Sequence, residues 1–385
     1  MKRIVTIIIC FLTVLSTQGQ HIVIPQNLKI PLDSAQKVQL SSSLNSFISD
    51  GGEQVSTTFM ILPGTERETG LLINEMKGMG KNAQLKDDQF YKPYLTNITD
   101  LGKNTYGLQI SYMGVLNGAP VVHASFKLLT QFKAIGFNFY SPLKENTGGW
   151  KTKVLGSITY HYKDTLSMTD AKAYRERIAL YDKKLNAPTG PMDVYYCDNF
   201  TEAQQIAGID YKQDYNGIAW NELAKADGGK LLVVNGWNSY KVRFDTHDLF
   251  HERLRLVVKA SVINRPVDEG CAYLYGGSWG VYKWPDILAL FKKYADENLN
   301  TDWLSIYLNE KNKNFVGGNT PLKISYAINA LIARRYDKAH GVAPMPLLTC
   351  GKVEKGDENY FKVLESISGI NKANFNTEVW RLIRE

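Results

Sequence analysis

The sequence predicts an α+β protein, in which an N-terminal part with helices and an antiparallel sheet precedes a part that is mainly helical toward its C-terminus. Two observations support this class. Apolar and polar residues alternate between residues 104 and 163, a period of two that is typical of half-buried strands. From about residue 165 onward, longer segments with a helical period predominate, and only short strand-like runs interrupt them.

The chain of 385 residues is long enough to bury more than one core, and we expect two domains, at 20–165 and 166–385. A hydrophobic content of 44% and a charged content of 22% are ordinary for a globular protein. The formal net charge of +7 is mild and dispersed, which argues against a nucleic-acid partner.

Residues 1–19 have the pattern of a secretory signal peptide. A basic start is followed by an apolar run from Ile4 to Leu15 and then by small and polar residues. We therefore expect export to the periplasm or the exterior, with an uncleaved anchor as the alternative. No later stretch approaches 18 apolar residues, so we expect no membrane span in the mature chain. The mature chain would hold an odd number of cysteines, namely Cys197, Cys271 and Cys350.

In the first part, short helical segments and loops are predicted up to about residue 100, among them a helix at residues 34–48, and four strands follow. The alternating runs lie at residues 106–115, 120–129, 134–142 and 154–162. We expect them to form one antiparallel sheet packed against the preceding helix, an order similar to the cystatin-like and nuclear-transport-factor-like folds. This part contains no chemical motif, and His123 and His161 are expected to be structural.

The second part is predicted to mix helices and strands before a helical C-terminus. The predicted helices lie at residues 169–186, 200–209, 244–255, 284–297, 320–338, 359–369 and 377–385. The predicted strands lie at residues 192–197, 216–222 and 230–236.

The stretch FDTHDLFHERLR, at residues 244–255, carries the strongest chemical signal. On a helix, His247 and His251 lie one turn apart on the same face, so their imidazoles point toward a common position. Neutral imidazole is a frequent zinc ligand, and a catalytic zinc takes three protein ligands with one position open to water. Arg253 and Arg255 are expected on a solvated face of this helix.

Glu269 is the candidate third ligand, 18 positions after His251. Pro266 suits the first turn of a second helix, and Gly276 followed by another glycine suits its end. A helix, a short turn and a second helix can return this carboxylate to the two imidazoles. The neighbouring Asp268 is either a first-turn acid or a hydrogen-bond partner of one of the histidines.

The order HDxxH, about 18 residues and DEGxAxY resembles the gluzincin branch of zinc metallopeptidases, especially the peptidase MA-like families, whose signature is HExxH followed by a glutamate on the next helix. The resemblance covers about 165–385, and its specific part is 247–275. It implies an exported peptidase with Zn²⁺ held by His247, His251 and Glu269, acting on a peptide or protein substrate. By the same resemblance, the strand at 230–236 would be the edge that pairs with the substrate.

The sequence departs from this signature at the catalytic base, where Asp248 stands in place of glutamate. Aspartate has the same chemistry, but its reach is shorter by roughly 1.5 Å, and a misplacement on the order of 1 Å can lower a rate by ~10²-fold. Either the site compensates, or it is slow or inactive. A degenerate zincin-like domain that binds zinc or a partner without catalysis is therefore the alternative to a working peptidase.

The family resemblance also implies a tyrosine or histidine that stabilises an oxyanion. Tyr326, Tyr336 and His340 are the candidates, and Tyr326 is our choice. A distant alternative rests on GGSWG at 276–280, which matches the nucleophile motif of serine hydrolases with Ser278 as the nucleophile. That motif requires a strand before the serine, whereas a helix is predicted here.

Overall fold

The computed structural model describes residues 21–49, 59–133, 136–216, 221–237 and 243–385. The signal peptide predicted at residues 1–19 lies outside these ranges. Within them, the α+β class is confirmed: an N-terminal antiparallel sheet precedes a helical C-terminal part. No helix in these ranges combines the length and the apolar character that a membrane crossing requires.

The N-terminal sheet has helices packed against it. The helices are α1 (Ser34–Ser49) and α2 (Glu66–Met76), and the antiparallel strands are β1 (Lys92–Gly102), β2 (Thr105–Leu116), β3 (Ala119–Lys133) and β4 (Gly136–Tyr140). Their alternate side chains share one core with Phe47 of α1 and Leu72 of α2. We did not predict β1, because its buried residues Pro93, Leu95 and Ile98 do not keep a period of two.

A second, mixed sheet lies between two hydrophobic cores. The next strands along the chain are β5 (Lys151–Leu155), β6 (Ile158–Tyr162), β7 (Met192–Tyr196), β8 (Ile209–Lys212), β9 (Glu222–Asp227) and β10 (Lys230–Asn235). β8 pairs with β3, whereas the other five form the second sheet in the order β5-β6-β7-β10-β9. The prediction of a fourth N-terminal strand at residues 154–162 is wrong, because the chain turns at Gly156 with a φ of +66° and forms the β5–β6 hairpin.

β10 is an internal strand, so the prediction that residues 230–236 form the substrate-pairing edge is wrong. Leu231 and Val233 contact the core of the C-terminal helices, and Leu232 and Val234 contact the N-terminal core. A strand buried on both faces is a continuous apolar run, which is what this segment contains. The edge position belongs to β9, which pairs antiparallel with β10.

The other helices are α3 (Leu143–Asn146), α4 (Met168–Leu185), α5 (Phe200–Ala207), α6 (Thr246–Val257), α7 (Arg265–Gly276), α8 (Trp284–Glu297), α9 (Trp303–Asn309), α10 (Ile324–His340), α11 (Met345–Leu348), α12 (Glu358–Ser368) and α13 (Phe375–Arg384). A small hairpin, β11 (Asn314–Val316) and β12 (Leu322–Lys323), precedes α10. α7 packs between α6 and α10. The two-domain division near residue 165 stays a prediction.

Arg253 lies on the buried side of α6, so its predicted solvated position is wrong. Its side chain is fully buried, and its Nε donates to Oδ1 of Asp182 on α4 at 2.8 Å. Arg255 is exposed, as expected, and pairs with Glu252. The three cysteines predicted to remain in the mature chain are free thiols.

Candidate metal centre

Two successive helices carry the side chains predicted to bind a metal. α6 begins after Asp245, whose Oδ1 accepts a hydrogen bond from the backbone N–H of His247 at 2.8 Å. α7 starts at Arg265, has Pro266 in its first turn and ends before Gly277. The predicted helix, turn and second helix are therefore present.

Two glycines allow α7 to approach its neighbours closely. A Cβ added at Gly276 would lie 2.4 Å from the carbonyl oxygen of Thr246 at the start of α6. A Cβ added at Gly270 would lie 2.6 Å from the Cβ of Asn329 on α10. A larger residue at Gly276 would push α7 away from α6, and one at Gly270 would push it away from α10. Gly276 therefore sets the separation that brings the side chains of α6 and α7 together.

Three donor atoms from these helices converge. Nε2 of His247 lies 3.2 Å from Nε2 of His251 and 3.4 Å from Oε2 of Glu269, and the third side of this triangle, from His251 to Glu269, is 3.9 Å. For a tetrahedral zinc with bonds of about 2.0–2.1 Å, neighbouring ligand atoms lie about 3.3–3.4 Å apart. The donor set and its spacing therefore fit a small divalent cation, provided that Glu269 moves slightly closer to His251.

Outer partners hold both imidazoles in the orientation that points Nε2 inward. Nδ1 of His247 lies 2.7 Å from the carbonyl oxygen of Gly277, and Nδ1 of His251 lies 2.7 Å from Oδ1 of Asp268. Because a carbonyl or carboxylate oxygen can only accept, each Nδ1 carries the proton and, in the neutral ring, each Nε2 has a free lone pair. Asp268 is thus a hydrogen-bond partner of a histidine as well as a first-turn acid.

Asp248 lies beside this cluster. Donor atoms of His247, Asp248 and His251 lie within 4.8 Å of one another, so these three side chains are also close enough together to hold a metal ion. Burial and the charge of Asp245 raise the pKa of Asp248 to about 6. A carboxyl group whose pKa is raised in this way is suited to exchanging a proton.

The charges of the cluster stabilise one another. Burial alone would lower the pKa of His247, but the hydrogen bond with Glu269 and the charge of Asp248 raise it to about 9. Burial alone would raise the pKa of Glu269, but its hydrogen bond with His247 and the charge of His251 lower it to about 2. Since a metal replaces the imidazole protons, metal binding at neutral pH would release protons.

The cluster opens into a cleft of about 1090 Å³. The edge strand β9 borders one side through Glu222 and Ala224. Tyr326 of α10 also lines the cleft, with its ring edge-on to Tyr273 at 5.7 Å. Burial and the charge of Glu269 raise the pKa of Tyr326 to about 12, so its hydroxyl remains a proton donor at neutral pH.

The remaining predicted candidates are less well placed. Tyr336 and His340 stack on each other at the end of α10, with ring centroids 4.1 Å apart, and neither lines the cleft. Ser278 does line it, but the residues before it are the helix α7, so the strand that a serine nucleophile motif needs is missing. His123 and His161 bond Met79 and Asp193 respectively.

Glu222 is a residue of the cleft that the sequence did not reveal. It begins β9 and is 7% exposed, and both of its carboxylate oxygens are shielded from solvent. Burial and the charges of Asp248 and Asp245 raise its pKa well above the ordinary value. The side-chain amide of Asn235 donates to the carbonyl of Arg243 and also lies within hydrogen-bonding reach of Glu222, which partly offsets the rise in the pKa of Glu222.

No protein-family model matches the chain, and no curated protein is significantly similar to it. The structure shows a cluster with the spacing and the donors to bind a metal ion.

Proposed function

We propose that the chain is an exported zinc-dependent peptidase. The observation that supports this most directly is the convergence of Nε2 of His247, Nε2 of His251 and Oε2 of Glu269, with the carboxylate of Asp248 beside them in an open cleft. Two imidazoles and one carboxylate are a ligand set of catalytic zinc sites. Export rests on the signal-peptide pattern of residues 1–19.

In this proposal, His247, His251 and Glu269 hold Zn²⁺. The ion supplies a Lewis acid that makes water nucleophilic near neutral pH and polarises a carbonyl group. Asp248 accepts the proton of the attacking water, a role that suits a carboxylate lying beside the two histidines. Tyr326 donates a hydrogen bond to the oxygen that becomes negatively charged.

The substrate is a peptide or protein that lies along the edge strand β9. Among the residues that the structure describes, β9 pairs with β10 alone, and an added strand could pair with its other side. Its first residues line the cleft that contains the histidines, so a strand added there would carry a peptide bond toward the cluster.

A second candidate function is favoured by Asp248 itself. Because its side chain is one methylene shorter than glutamate, a degenerate domain that binds zinc or a partner without turnover is the competing proposal. The two functions share the metal site and differ only in catalysis.

The first experiment measures zinc in the purified protein. The wild type should hold about one zinc per chain, and His251→Ala and Glu269→Ala should lose it, whereas His123→Ala, which alters a histidine outside the cleft, should keep it. A wild type that never binds metal would remove both proposals.

The second experiment distinguishes a working peptidase from a degenerate domain that binds zinc without catalysis. Asp248→Asn should keep its zinc and lose the cleavage of a mixed peptide library. Ser278→Ala should cleave as the wild type does. If the zinc-loaded wild type cleaves nothing and Asp248→Glu gains activity, the chain is the degenerate form.

A further inference from the structure

The motif GGSWG, at residues 276–280, forms a tight turn directly after α7. Gly277 has a φ of +83°, and a Cβ added there would lie 2.2 Å from the carbonyl oxygen of Tyr282, so this position requires glycine. The backbone N–H of Ser278 donates to the same carbonyl at 2.9 Å, and the N–H of Tyr282 donates back to Ser278 at 3.0 Å. The backbone of the turn is therefore held by its own hydrogen bonds.

Trp279 has an unusual backbone conformation in this turn, with a φ of +58°. A positive φ is rare for a bulky residue and costs free energy that a glycine would not lose. The other described non-glycine residues with a positive φ are all lysine, asparagine or aspartate. Strained residues are concentrated at functional sites, so the presence of a tryptophan here calls for a role of its side chain.

The indole of Trp279 is fixed from outside the turn. Its Nε1 donates to the carbonyl oxygen of Pro321 at 3.1 Å. The hydroxyl of Tyr282 lies 3.2 Å from Oγ1 of Thr320, so a second side chain ties the turn to the same segment before β12. A surface that is already fixed before a ligand arrives loses little conformational freedom on binding.

Trp279 also stands close to the candidate metal centre. Its side chain is only partly buried and lines the cleft, as do Pro321 and Tyr326. The carbonyl oxygen of Gly277, two positions earlier, lies 2.7 Å from Nδ1 of His247. Two residues of chain span about 7 Å at most. The indole is therefore an apolar surface beside the metal ligands.

The charges around Trp279 favour a neutral ligand. Lys323, two positions after Pro321, and Lys352 also line the cleft, and their charges oppose a cation beside the indole. The face of an aromatic ring carries negative charge density, which opposes an anion. The acids of the cleft lie on β9, on or directly before α6, and in the first turns of α7, whereas Trp279 follows the end of α7. A neutral aromatic ring has neither penalty, and aromatic pairs gain contact energy beyond the area that they bury.

We propose that Trp279 binds an aromatic side chain of the substrate beside the candidate metal centre and thereby sets the side-chain preference of the cleft. That this side chain belongs to a peptide rests on the proposed function. Since β9 and Trp279 line the same cleft, a peptide bound in the cleft can contact both. Ligand sites are commonly lined by aromatic side chains of this kind.

The test is equilibrium binding, by calorimetry, of four capped amino acids to the full chain in the presence of zinc. The probes are the acetyl amides of phenylalanine, alanine, arginine and glutamate. Trp279→Gly and Trp279→Asn remove the indole and place residues that adopt a positive φ readily, so the turn is kept. Trp284→Leu is the matched control, because Trp284 packs against the same apolar cluster as Trp279 but does not line the cleft.

The phenylalanine probe should bind about ten- to a hundredfold more tightly than the alanine probe to the wild type and to Trp284→Leu. Both Trp279 variants should bind these two probes equally. Equal affinities in the wild type, or a phenylalanine preference that survives in the Trp279 variants, would overturn the proposal. A charged probe that binds as tightly as the phenylalanine probe would also overturn it.

Two further results would show that the indole has only a structural role. The first is that neither Trp279 variant folds, and the second is that Trp284→Leu loses the phenylalanine preference as well. The peptidase proposal fails separately, because binding is measured without turnover. A phenylalanine preference in a protein that cleaves no peptide leaves the aromatic site and removes the peptidase. Cleavage of peptides without this preference does the reverse.

Discussion

Oδ1 of Asp268 lies 2.7 Å from Nδ1 of His251, and this contact directs the opposite nitrogen of the ring toward His247 and Glu269. Both partners are nearly inaccessible to solvent, with 10% and 6% of their side chains exposed for His251 and Asp268. A carboxylate in this position fixes the tautomer of a ligating imidazole and increases its basicity.

We therefore expect Asp268→Asn, which removes the charge and keeps the shape, to weaken zinc binding by about 10–100-fold. Competition against a chelator of known affinity measures this change. Asp296→Asn, an exposed acid on α8, is the control and should bind zinc as the wild type does. Wild-type zinc affinity in a correctly folded Asp268→Asn protein would contradict the positioning role.

Glu222 should make the stability of the metal-free protein depend on pH. Its pKa in the folded state is raised well above the ordinary value of 4.5 by burial and by the charges of Asp248 and Asp245. The carboxyl group of Glu222 therefore binds its proton more tightly in the folded state than in the unfolded state. Its contribution to the free energy of unfolding is complete below about pH 4.5 and is lost as the pH rises through the folded pKa.

Glu222→Gln removes that loss, so the variant should gain stability relative to the wild type between pH 5 and pH 8. Melting temperatures across this range give the difference between the two proteins at each pH. Asp227→Asn should follow the wild type throughout. A constant difference between Glu222→Gln and the wild type would show that this carboxyl group does not titrate as described.

The metal helices were predictable because their signals are local. The spacing of His247 and His251, the proline at 266 and the glycines after Tyr275 fix a helix, a turn and a second helix within thirty residues. The place of Glu222 in the cleft was not predictable, because it depends on which strand of the second sheet lies at the edge. Sheet order is a long-range property, and the internal position of β10 was indicated only by its unbroken apolar run.

The buried position of Arg253 could not be predicted from the sequence either, because it also depends on long-range packing. A lysine or arginine in a helix is usually solvated, and nothing near Arg253 in the sequence marks it as buried. Its partner Asp182 lies 71 positions earlier, on α4. Such a pair becomes apparent only when α4 and α6 are seen to pack together.

Removing one partner of the Asp182–Arg253 pair should destabilise the protein strongly, whereas replacing both partners by apolar residues should change its stability little. Asp182 Oδ2 and Arg253 Nη1 have no partner within the described residues, so the pair is incompletely satisfied. Asp182→Leu alone or Arg253→Met alone leaves one charge buried without its partner and should lower the free energy of unfolding by about 3–5 kcal/mol. The double variant Asp182→Leu with Arg253→Met should lie close to the wild type.

Urea unfolding of the wild type, the two single variants and the double variant gives the coupling free energy between Asp182 and Arg253. Lys293→Ala, which removes an exposed helix-surface charge, is the control and should change stability by less than about 0.5 kcal/mol. Single-variant losses that simply add in the double variant would contradict a direct ion pair.

Tyr326 is the last group whose role can be separated from metal binding. It lines the cleft, and burial together with the charge of Glu269 raises its pKa to about 12, so it stays a donor across the neutral range. Tyr326→Phe removes only the hydroxyl and should retain its zinc. If the chain is a working peptidase, kcat should fall by about 10²–10³-fold with little change in KM, because the hydrogen bond strengthens only as the oxyanion forms.

Tyr336→Phe, at the far end of the same helix, should keep wild-type kcat. Equal kcat values for the two variants would remove Tyr326 from the reaction.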